Sequence, residues 1–527
     1  MLHVLDRAAG VLLGAACGDA LGVPYEFAPR LDQQQTPRMI GGGLGPYAPG
    51  EYSDDTQMAV CIAQVAATGA DLRSSEALDQ VAHRFVDWHR DGASDIGIQT
   101  AAVLGQAARN AEAHAELSLA EWMLAASGAR VAQGRPSAGN GSLMRTAPVA
   151  LAFPHDPEAT AEAARRVSEL THADPLAADA CVLWCEGIRH AVAHGTFDGV
   201  RRGLRLLETD RRAQWEAWLD EAEHHPPHTF TDNGFVVRAL QAAWSAITRT
   251  PVPEHRPADG VFAAQHLQHA LEAAARAGGD TDTVAAIAGA LLGARWGASA
   301  IPWQWQRAVH GWPGLHTRDL TSLAVRTFQG GHCDAQGWPE AARHPFQADV
   351  TEPFVTTHPH DDGVLLGNLR LARPWQETAD AVVSLCRTGT ADFTEVPRTD
   401  HVRVWLIDQV GANAHVHFTL DQAAHAVAGL RAEGKRVLLH CAAGRSRTPA
   451  VAARYATLLG LDPATAFHDI LRALAPNRPL LNPELETAVH ELAGHPVPPR
   501  QSRSQGSLLI ASEGPSPAGR QPELPGE

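Results

Sequence analysis

The chain has 527 residues, 45% hydrophobic and 19% charged, with a formal net charge of -16 at pH 7. That length exceeds what one hydrophobic core serves and predicts two or more domains, while the acidic balance argues against nucleic acid or a membrane surface as a main partner. Seven cysteines without paired spacing fit reduced thiols in the cytoplasm, and Asp6, Arg7 and Asp19 interrupt the N-terminal apolar runs, so neither a signal peptide nor a membrane span is expected.

From about residue 5 to 330 the pattern is helical: Ala-rich segments carry apolar residues at i, i+3, i+4 and are broken by Gly- and Pro-containing loops. The first polar signal is GEYSDDTQMAV, residues 50–60, where Ser53, Asp54, Asp55 and Thr56 precede an apolar run. Adjacent carboxylates repel unless a cation or hydrogen-bond donors sit between them. The loop SAGNG, 137–141, has two glycines that allow close backbone approach, so its N–H groups could cradle a diphosphate. Cys181 and Cys185, at i, i+4, read as helix-core residues.

Residues 278–297, GGDTDTVAAIAGALLGARWG, repeat the acidic theme with Asp280, Asp282 and Thr283 at a helix start. Val284, Ile287, Ala288, Leu291 and Leu292 make an apolar face there, and Gly289 and Gly293 leave room for a close neighbour. Taken singly, either acidic cluster reads as a helix cap. One residue suffices for a cap, and two such clusters suit hard divalent ions; a pair bridged by shared carboxylates sits roughly 3.5–4 Å apart. No matching set of Cys and His points to zinc.

After a polar, Pro-containing linker (332–352), the β-type runs VLLGNL, AVVSLC, VRVWLID and RVLLH alternate with helical segments, the pattern of an α/β sheet. In RVLLHCAAGRSRTPAVAARYA, residues 436–456, a strand ends at His440, Cys441 and Arg447 bracket five residues including Gly444, and a helix follows. This is a phosphate cradle: loop N–H groups and a helix N-terminus face an anion and lower the thiol pKa. Arg447 can hold two phosphoryl oxygens, and Cys441 is the attacking thiolate. From about 497 the composition is rich in Pro, Ser, Gly and Gln and predicts disorder. The expected organisation is multidomain: an all-α domain (1–331), the linker, an α/β domain (353–496) with its own separate core, and a tail (497–527).

Six motifs in order, GAACGDALGVPYEF, GEYSDDTQMAV, SDIGIQTAAVL, SAGNGSLMRTAPVAL, THADP and GGDTDTVAAIAGALLGA, resemble the ADP-ribosylglycohydrolase family over roughly residues 5–330. The resemblance implies an all-helical fold with two magnesium or manganese ions that removes ADP-ribose from a modified protein or small molecule. It gives Ser53, Asp54, Asp55, Asp280, Asp282 and Thr283 as metal ligands, with Ser53 standing where the family usually has Thr. Glu26 and Asp95 match active-site carboxylates; with Asp280 they are three groups able to move a proton, left unranked. Gly139, Asn140, Gly141, Ser142 and His172 match substrate-binding positions.

The cradle resembles the cysteine-dependent dual-specificity and tyrosine phosphatases over roughly 353–495. This implies cofactor-free hydrolysis of a phosphorylated protein or small molecule, with Cys441 as nucleophile, Arg447 and Gly444 in the cradle, Asp408 as general acid and Ser446 assisting breakdown of the phosphocysteine. The expected whole is a bifunctional hydrolase. The other reading is that the helical unit binds ADP-ribose with little turnover and localises the phosphatase; the six candidate ligands favour the first.

Overall fold

A computed structural model describes residues 2–114, 116–332, 341–344, 348–372 and 379–497. Much of the expected linker, and the expected tail beyond Val497, lie outside the described residues. The first half is helical: α1 (Leu2–Gly22), α2 (Asp54–Ala66), α3 (Ser75–Arg90), α4 (Ile98–Ala113), α5 (Leu119–Ala132), α6 (Ala147–Ala152), α7 (Pro157–Glu169), α8 (Pro175–His194), α9 (Gly199–Arg202), α10 (Thr209–His224), α11 (Val236–Arg249), α12 (His266–Ala275), α13 (Thr281–Trp296), α14 (Trp303–Ala308) and α15 (Thr317–Phe328). A small ladder, β1 (His310–Gly311) and β2 (Leu315–His316), precedes α15. Helix starts follow local chemistry. Asp156 and Asp174 each cap a helix opening on proline, and Ser118 with Glu121 forms a reciprocal capping box at α5.

The centre of this half is the contact between α1 and α13. Gly10, Gly14 and Gly18 lie against Gly293, Gly289 and Ala285, so near that an added Cβ would sit well inside van der Waals contact with the facing carbonyl oxygens. Gly22 lies equally close to the backbone of Asp282. Side chains of any size would push these helices apart, and the glycines set the spacing of the acidic residues at one end of the pair. Helix α1 with its short extension, Leu2–Tyr25, is long and apolar enough to cross a membrane, but 89% of its most apolar window is buried in the protein.

The second half is an α/β unit. Strands β3 (Val355–His358), β4 (Asp361–Asn368), β5 (Ala381–Ser384), β6 (His401–Arg403) and β7 (Val437–Cys441) form one sheet in the order β3-β4-β7-β5-β6. Only the β3–β4 hairpin pair is antiparallel. Helices α16 (Val416–Ala432), α17 (Arg447–Leu458), α18 (Pro463–Ala473) and α19 (Pro483–Leu492) pack around it. The run VRVWLID is a strand only to Arg403. Beyond it the chain turns into a loop in which the Asn413 side-chain amide exchanges hydrogen bonds with the Ile407 backbone at 2.8 and 2.9 Å.

The two halves do not have separate cores, contrary to expectation: one buried apolar cluster runs through both. Helix α14 provides the bridge. Trp303 packs against Gly429 of α16, where a Cβ would lie 2.6 Å from the indole ring, and the Trp303 backbone N–H donates to the Gln422 side-chain oxygen at 3.1 Å. Arg307 pairs with Asp400 and Glu433, and an imidazole nitrogen of His415 lies 2.7 Å from the Trp296 carbonyl.

Candidate active sites

The acidic clusters meet at the end of the α1–α13 pair, and neither is a cap. Ser53 at the α2 start and Asp280 at the α13 start make no side-chain capping bond. Asp19 of α1 does that work for α2 from outside: its carboxylate accepts the Ser53 N–H and hydroxyl, both at 2.8 Å, and the Thr56 N–H and hydroxyl at 3.0 and 2.6 Å. Ser53 Oγ thereby stands 2.8, 3.1 and 3.4 Å from carboxylate oxygens of Asp19, Asp55 and Asp282. One hydroxyl proton serves one of these three, so the other close oxygen pairs need a cation or further protons between them.

Two groups of carboxylates can each present oxygens within 4.8 Å of one another: Asp19, Asp55 and Asp282, and Glu26, Asp280 and Asp282. Asp282 belongs to both. Burial, and then the neighbouring carboxylates, push Asp54, Asp55 and Asp282 well above the usual range. Burial, Asp95 and Asp280 push Glu26 up to about 9. Buried Asp55 Oδ1 makes no hydrogen bond among the described residues. An all-oxygen set with so little compensating positive charge fits hard divalent cations. Asp54 is buried beside these groups but belongs to neither, and Thr283 stands near Asp55 and Asp280, lowering the pKa of each.

Glu26 follows a single 3-10 turn after α1, and the Phe27 N–H donates to the Gly279 carbonyl at 2.7 Å, tying this loop to the α13 approach. Phe27 takes a φ of 48°, a left-handed conformation that costs a non-glycine residue energy and recurs at functional sites. Glu26 and Asp95 lie close enough for each to raise or lower the other's pKa, and Asp95 Oδ2 makes no hydrogen bond among the described residues.

The SAGNG loop is built differently from a free anion cradle. Asn140 donates its side-chain N–H to Asp280 at 2.7 Å and its backbone N–H to Gly234 at 3.0 Å, so that N–H is not available to a phosphate. Ser142 points inward, accepting from Ser168 at 2.9 Å, so its hydroxyl supports the loop from the core. Gly139 and Gly141 make room for His172, since a Cβ on either would lie 3.3 and 3.1 Å from the imidazole. Arg145, fully buried, donates to Thr171 Oγ1 at 2.5 Å, and that hydroxyl lies 2.8 Å from His172 Nδ1. Because Arg145 can only donate, Thr171 passes its proton to Nδ1 and His172 carries its hydrogen on Nε2, toward the glycines. Burial and the Arg145 charge keep the ring neutral.

In the second half, the loop after the central strand β7 returns at α17 around Cys441. Burial opposes ionisation of the thiol, but Arg447, the hydroxyl and N–H of Thr448 and the Gly444 N–H, 3.2 Å from the sulfur, together lower its pKa. Gly444 has a φ of +71° and lies against the Gly367 carbonyl, so both backbone and space demand glycine. Arg447 donates to the Leu385 and Leu406 carbonyls at 2.6 and 3.1 Å, which aims the guanidinium; its buried Nε makes no hydrogen bond. Asp408 stands above the cradle, accepting from Ser446 at 2.6 Å and lying 3.8 Å from Arg447. The expected role of Ser446 therefore needs correction: its hydroxyl faces Asp408 and Asn482, while the buried hydroxyl of Thr448, not singled out from the sequence, makes no hydrogen bond among the described residues and acts to lower the Cys441 pKa.

Asp19 was the other residue missed in the first half. A carboxylate on an otherwise apolar, glycine-rich helix was its signal. The fold and the convergence of oxygen ligands define an enzyme site of the glycosidic-hydrolase kind, and residues 2–335 match the family model described as ADP-ribosylglycohydrolase. The chain belongs to that family. It is 30% identical over 310 residues to "ADP-ribosylarginine hydrolase Tri1" of Pseudomonas putida, covering 58% of this chain and 75% of that protein. It is 27% identical over 311 residues to "ADP-ribosyl-[dinitrogen reductase] glycohydrolase" of Rhodospirillum rubrum, covering 57% and 90%. The structure titled "Crystal structure of human DUSP28" is similar at 21% identity and a TM-score of 0.25, over 28% of this chain and 97% of that one. That level of likeness carries no argument, and membership of a phosphatase family is not shown.

Proposed function

We propose that the helical half hydrolyses the bond between ADP-ribose and an arginine side chain of a modified protein, or of a small molecule presenting the same guanidine. The observation that carries this reading is the gathering of Asp19, Asp55 and Asp282 and of Glu26, Asp280 and Asp282 into two carboxylate groups that share Asp282; the name of the Pseudomonas relative supports arginine as the acceptor. These carboxylates would hold magnesium or manganese, which would supply positive charge toward the vicinal ribose hydroxyls and the attacking water. The residues of the chain do the rest. Glu26 and Asp95, neighbouring carboxyls that shift each other's pKa, can hold and pass the proton that the leaving guanidine and attacking water exchange. Asn140 fixes the rotamer of Asp280, and neutral His172 offers an Nε2–H donor beside the glycine loop.

The second half we read as a cysteine-dependent phosphomonoesterase. The single observation for it is a thiol held below its ordinary pKa by Arg447, whose buried Nε makes no hydrogen bond and whose only carboxylate neighbour among the described residues is Asp408 at 3.8 Å, an arrangement able to clamp an anion. Cys441 attacks phosphorus, the ester oxygen leaves with a proton, and water hydrolyses the phosphocysteine. We place the protein in the cytoplasm, where its six described free cysteines stay reduced.

Incubation of the full chain with ADP-ribosylated arginine and serine peptides, with and without magnesium, tests the first half. Release of ADP-ribose from the arginine peptide only with metal is expected. Tight binding of ADP-ribose without release from either peptide would instead favour a binding module.

A further inference from the structure

Arg145 is fully buried on the segment that joins the glycine loop to α6, and among the described residues no carboxylate pairs with it. Its guanidinium lies 4.6 Å from the centre of the Phe85 ring, donates from Nη1 to the Met58 sulfur at 3.6 Å and from Nη2 to Thr171 Oγ1 at 2.5 Å, and its buried Nε makes no hydrogen bond. Asp54 acts on it only through space, as an opposing charge. A cation held in the core by neutral partners costs stability, so packing alone does not account for it.

The Thr171 hydroxyl stands between Arg145 Nη2 and His172 Nδ1. Arginine only donates, so one lone pair of Thr171 is taken. If Nδ1 carried the ring hydrogen it would donate to Thr171 as well, and the buried Thr171 proton would meet no acceptor among the described residues. With the ring hydrogen on Nε2, each of the three groups is satisfied. Gln99 of α4 holds the frame, donating from Nε2 to the Thr171 carbonyl at 2.8 Å and to the Ser137 carbonyl, at the start of the glycine loop, at 3.2 Å. The His172 backbone N–H is fixed to the Ser168 carbonyl at 2.8 Å. His172 Nε2 lies against the loop, 3.3 Å from where a Cβ on Gly139 or on Gly141 would stand, and makes no hydrogen bond among the described residues.

We propose that Thr171, oriented by Arg145, is a positioning residue that makes His172 a one-way donor, its Nε2–H offered beside Gly139 and Gly141 to an acceptor oxygen of the ADP-ribose group. The assignment rests on the reading of the helical half as an ADP-ribose site and adds to it what sets the polarity of the contact. A neutral imidazole free to exchange tautomers would present a lone pair to that oxygen part of the time and repel it. Burial, with the charges of Arg145 and Arg130, keeps the ring neutral, so its donor direction depends on the Thr171 proton alone.

The test uses the full chain and free ADP-ribose, titrated by calorimetry. Thr171→Val removes the bridging hydroxyl at nearly constant shape and should weaken binding by roughly ten-fold or more, whereas Thr171→Ser keeps the hydroxyl and should retain most of the affinity. Because Thr171 acts through the ring, adding Thr171→Val to His172→Phe should weaken binding no further than His172→Phe alone. Wild-type affinity in Thr171→Val, or an equal loss with and without the imidazole, overturns the proposal. Should Thr171→Val not fold, nitrogen NMR of isotope-labelled histidines in the wild-type chain decides, with the His172 signals identified by their absence from His172→Phe: a ring hydrogen on Nε2 supports the assignment, and one on Nδ1 refutes it. The spectra need no ligand, so failure of wild type to bind ADP-ribose would sink the reading of the helical half, and the donor role with it, while the tautomer is still judged separately.

Discussion

Asp19 of α1 caps α2 across space, taking the N–H and hydroxyl of both Ser53 and Thr56 on its two carboxylate oxygens. The bonds hold Ser53, Asp54 and Asp55 at the end of the glycine-packed helix pair. Asp19→Ala leaves two buried N–H groups and two hydroxyls without their acceptor, at roughly 1–3 kcal/mol for each group left unpaired. De-ADP-ribosylation should fall at least a hundred-fold, and the melting temperature should drop even in the absence of metal. Asp19→Ala with near wild-type activity would remove Asp19 from the site.

Asp282 belongs to both carboxylate groups, so its loss should affect metal binding more than loss of Asp54, which belongs to neither. Metal that binds only the folded site stabilises it by about 2.7 kcal/mol at a hundred-fold excess over Kd. Millimolar magnesium should therefore raise the melting temperature of wild type, leave that of Asp282→Ala unmoved, and still raise that of Asp54→Ala in part. Equal magnesium response in all three chains, followed by differential scanning calorimetry, would contradict the assignment of Asp282.

Helix packing carries a separate prediction. Gly14 and Gly293 face backbone across the α1–α13 contact, so Gly14→Ala or Gly293→Ala forces the helices apart. Overpacking of this kind costs about 1–3 kcal/mol, occasionally more. The shift should also separate Asp19 from Asp282, so activity should fall beyond what lost stability explains at a temperature where the variant is folded. Gly128→Ala on α5, where the added methyl group meets nothing within 4 Å, is the control and should be silent.

How much of this was legible follows the range of each signal. Helical period, capping residues and the strand–loop–helix cradle are local, and the sequence shows them directly. Ser142 looked like part of a substrate loop because residue type does not say which way a side chain points; contact with Ser168 decides that. VRVWLID reads as a strand to Asp408, but the Asn413 amide captures the Ile407 backbone and bends the chain away. The shared core was invisible for a related reason: Trp303 on a six-residue helix gives no period from which a partner such as Gly429 follows.

The thiol makes a test independent of substrate. Cys441 is lowered, whereas burial pushes Cys17, Cys61, Cys181, Cys185 and Cys386 up. Among the described cysteines, iodoacetate at pH 6 should therefore modify Cys441 first, since only the thiolate reacts. Arg447→Met removes the nearest positive charge and should move the pH dependence of alkylation upward. Peptide mass mapping after brief treatment reads both outcomes; preferential labelling of another described cysteine would contradict the low-pKa assignment.

The last prediction separates the two hydroxyls at the cradle. The Thr448 hydroxyl is unpaired and lowers the Cys441 pKa, whereas Ser446 is bonded to Asp408, so they should fail at different steps. If Thr448 stabilises the departing thiolate when water hydrolyses the phosphocysteine, Thr448→Val slows that second step and leaves attack nearly intact. Nitrophenyl phosphate should then give a burst of nitrophenol close to one equivalent per chain, followed by turnover slowed roughly ten- to a hundred-fold. Ser446→Ala releases Asp408 from its 2.6 Å bond and should act on the first step. Its effect should grow as the leaving group becomes poorer, from nitrophenyl to phenyl phosphate, because only the poorer leaving group needs the acid's proton. Asp408→Asn should show the same leaving-group dependence more strongly. Stopped-flow traces across the series distinguish the residues: a burst with Ser446→Ala and none with Thr448→Val would exchange their roles, and equal slowing of both esters by Asp408→Asn would leave Asp408 as a support for the loop alone.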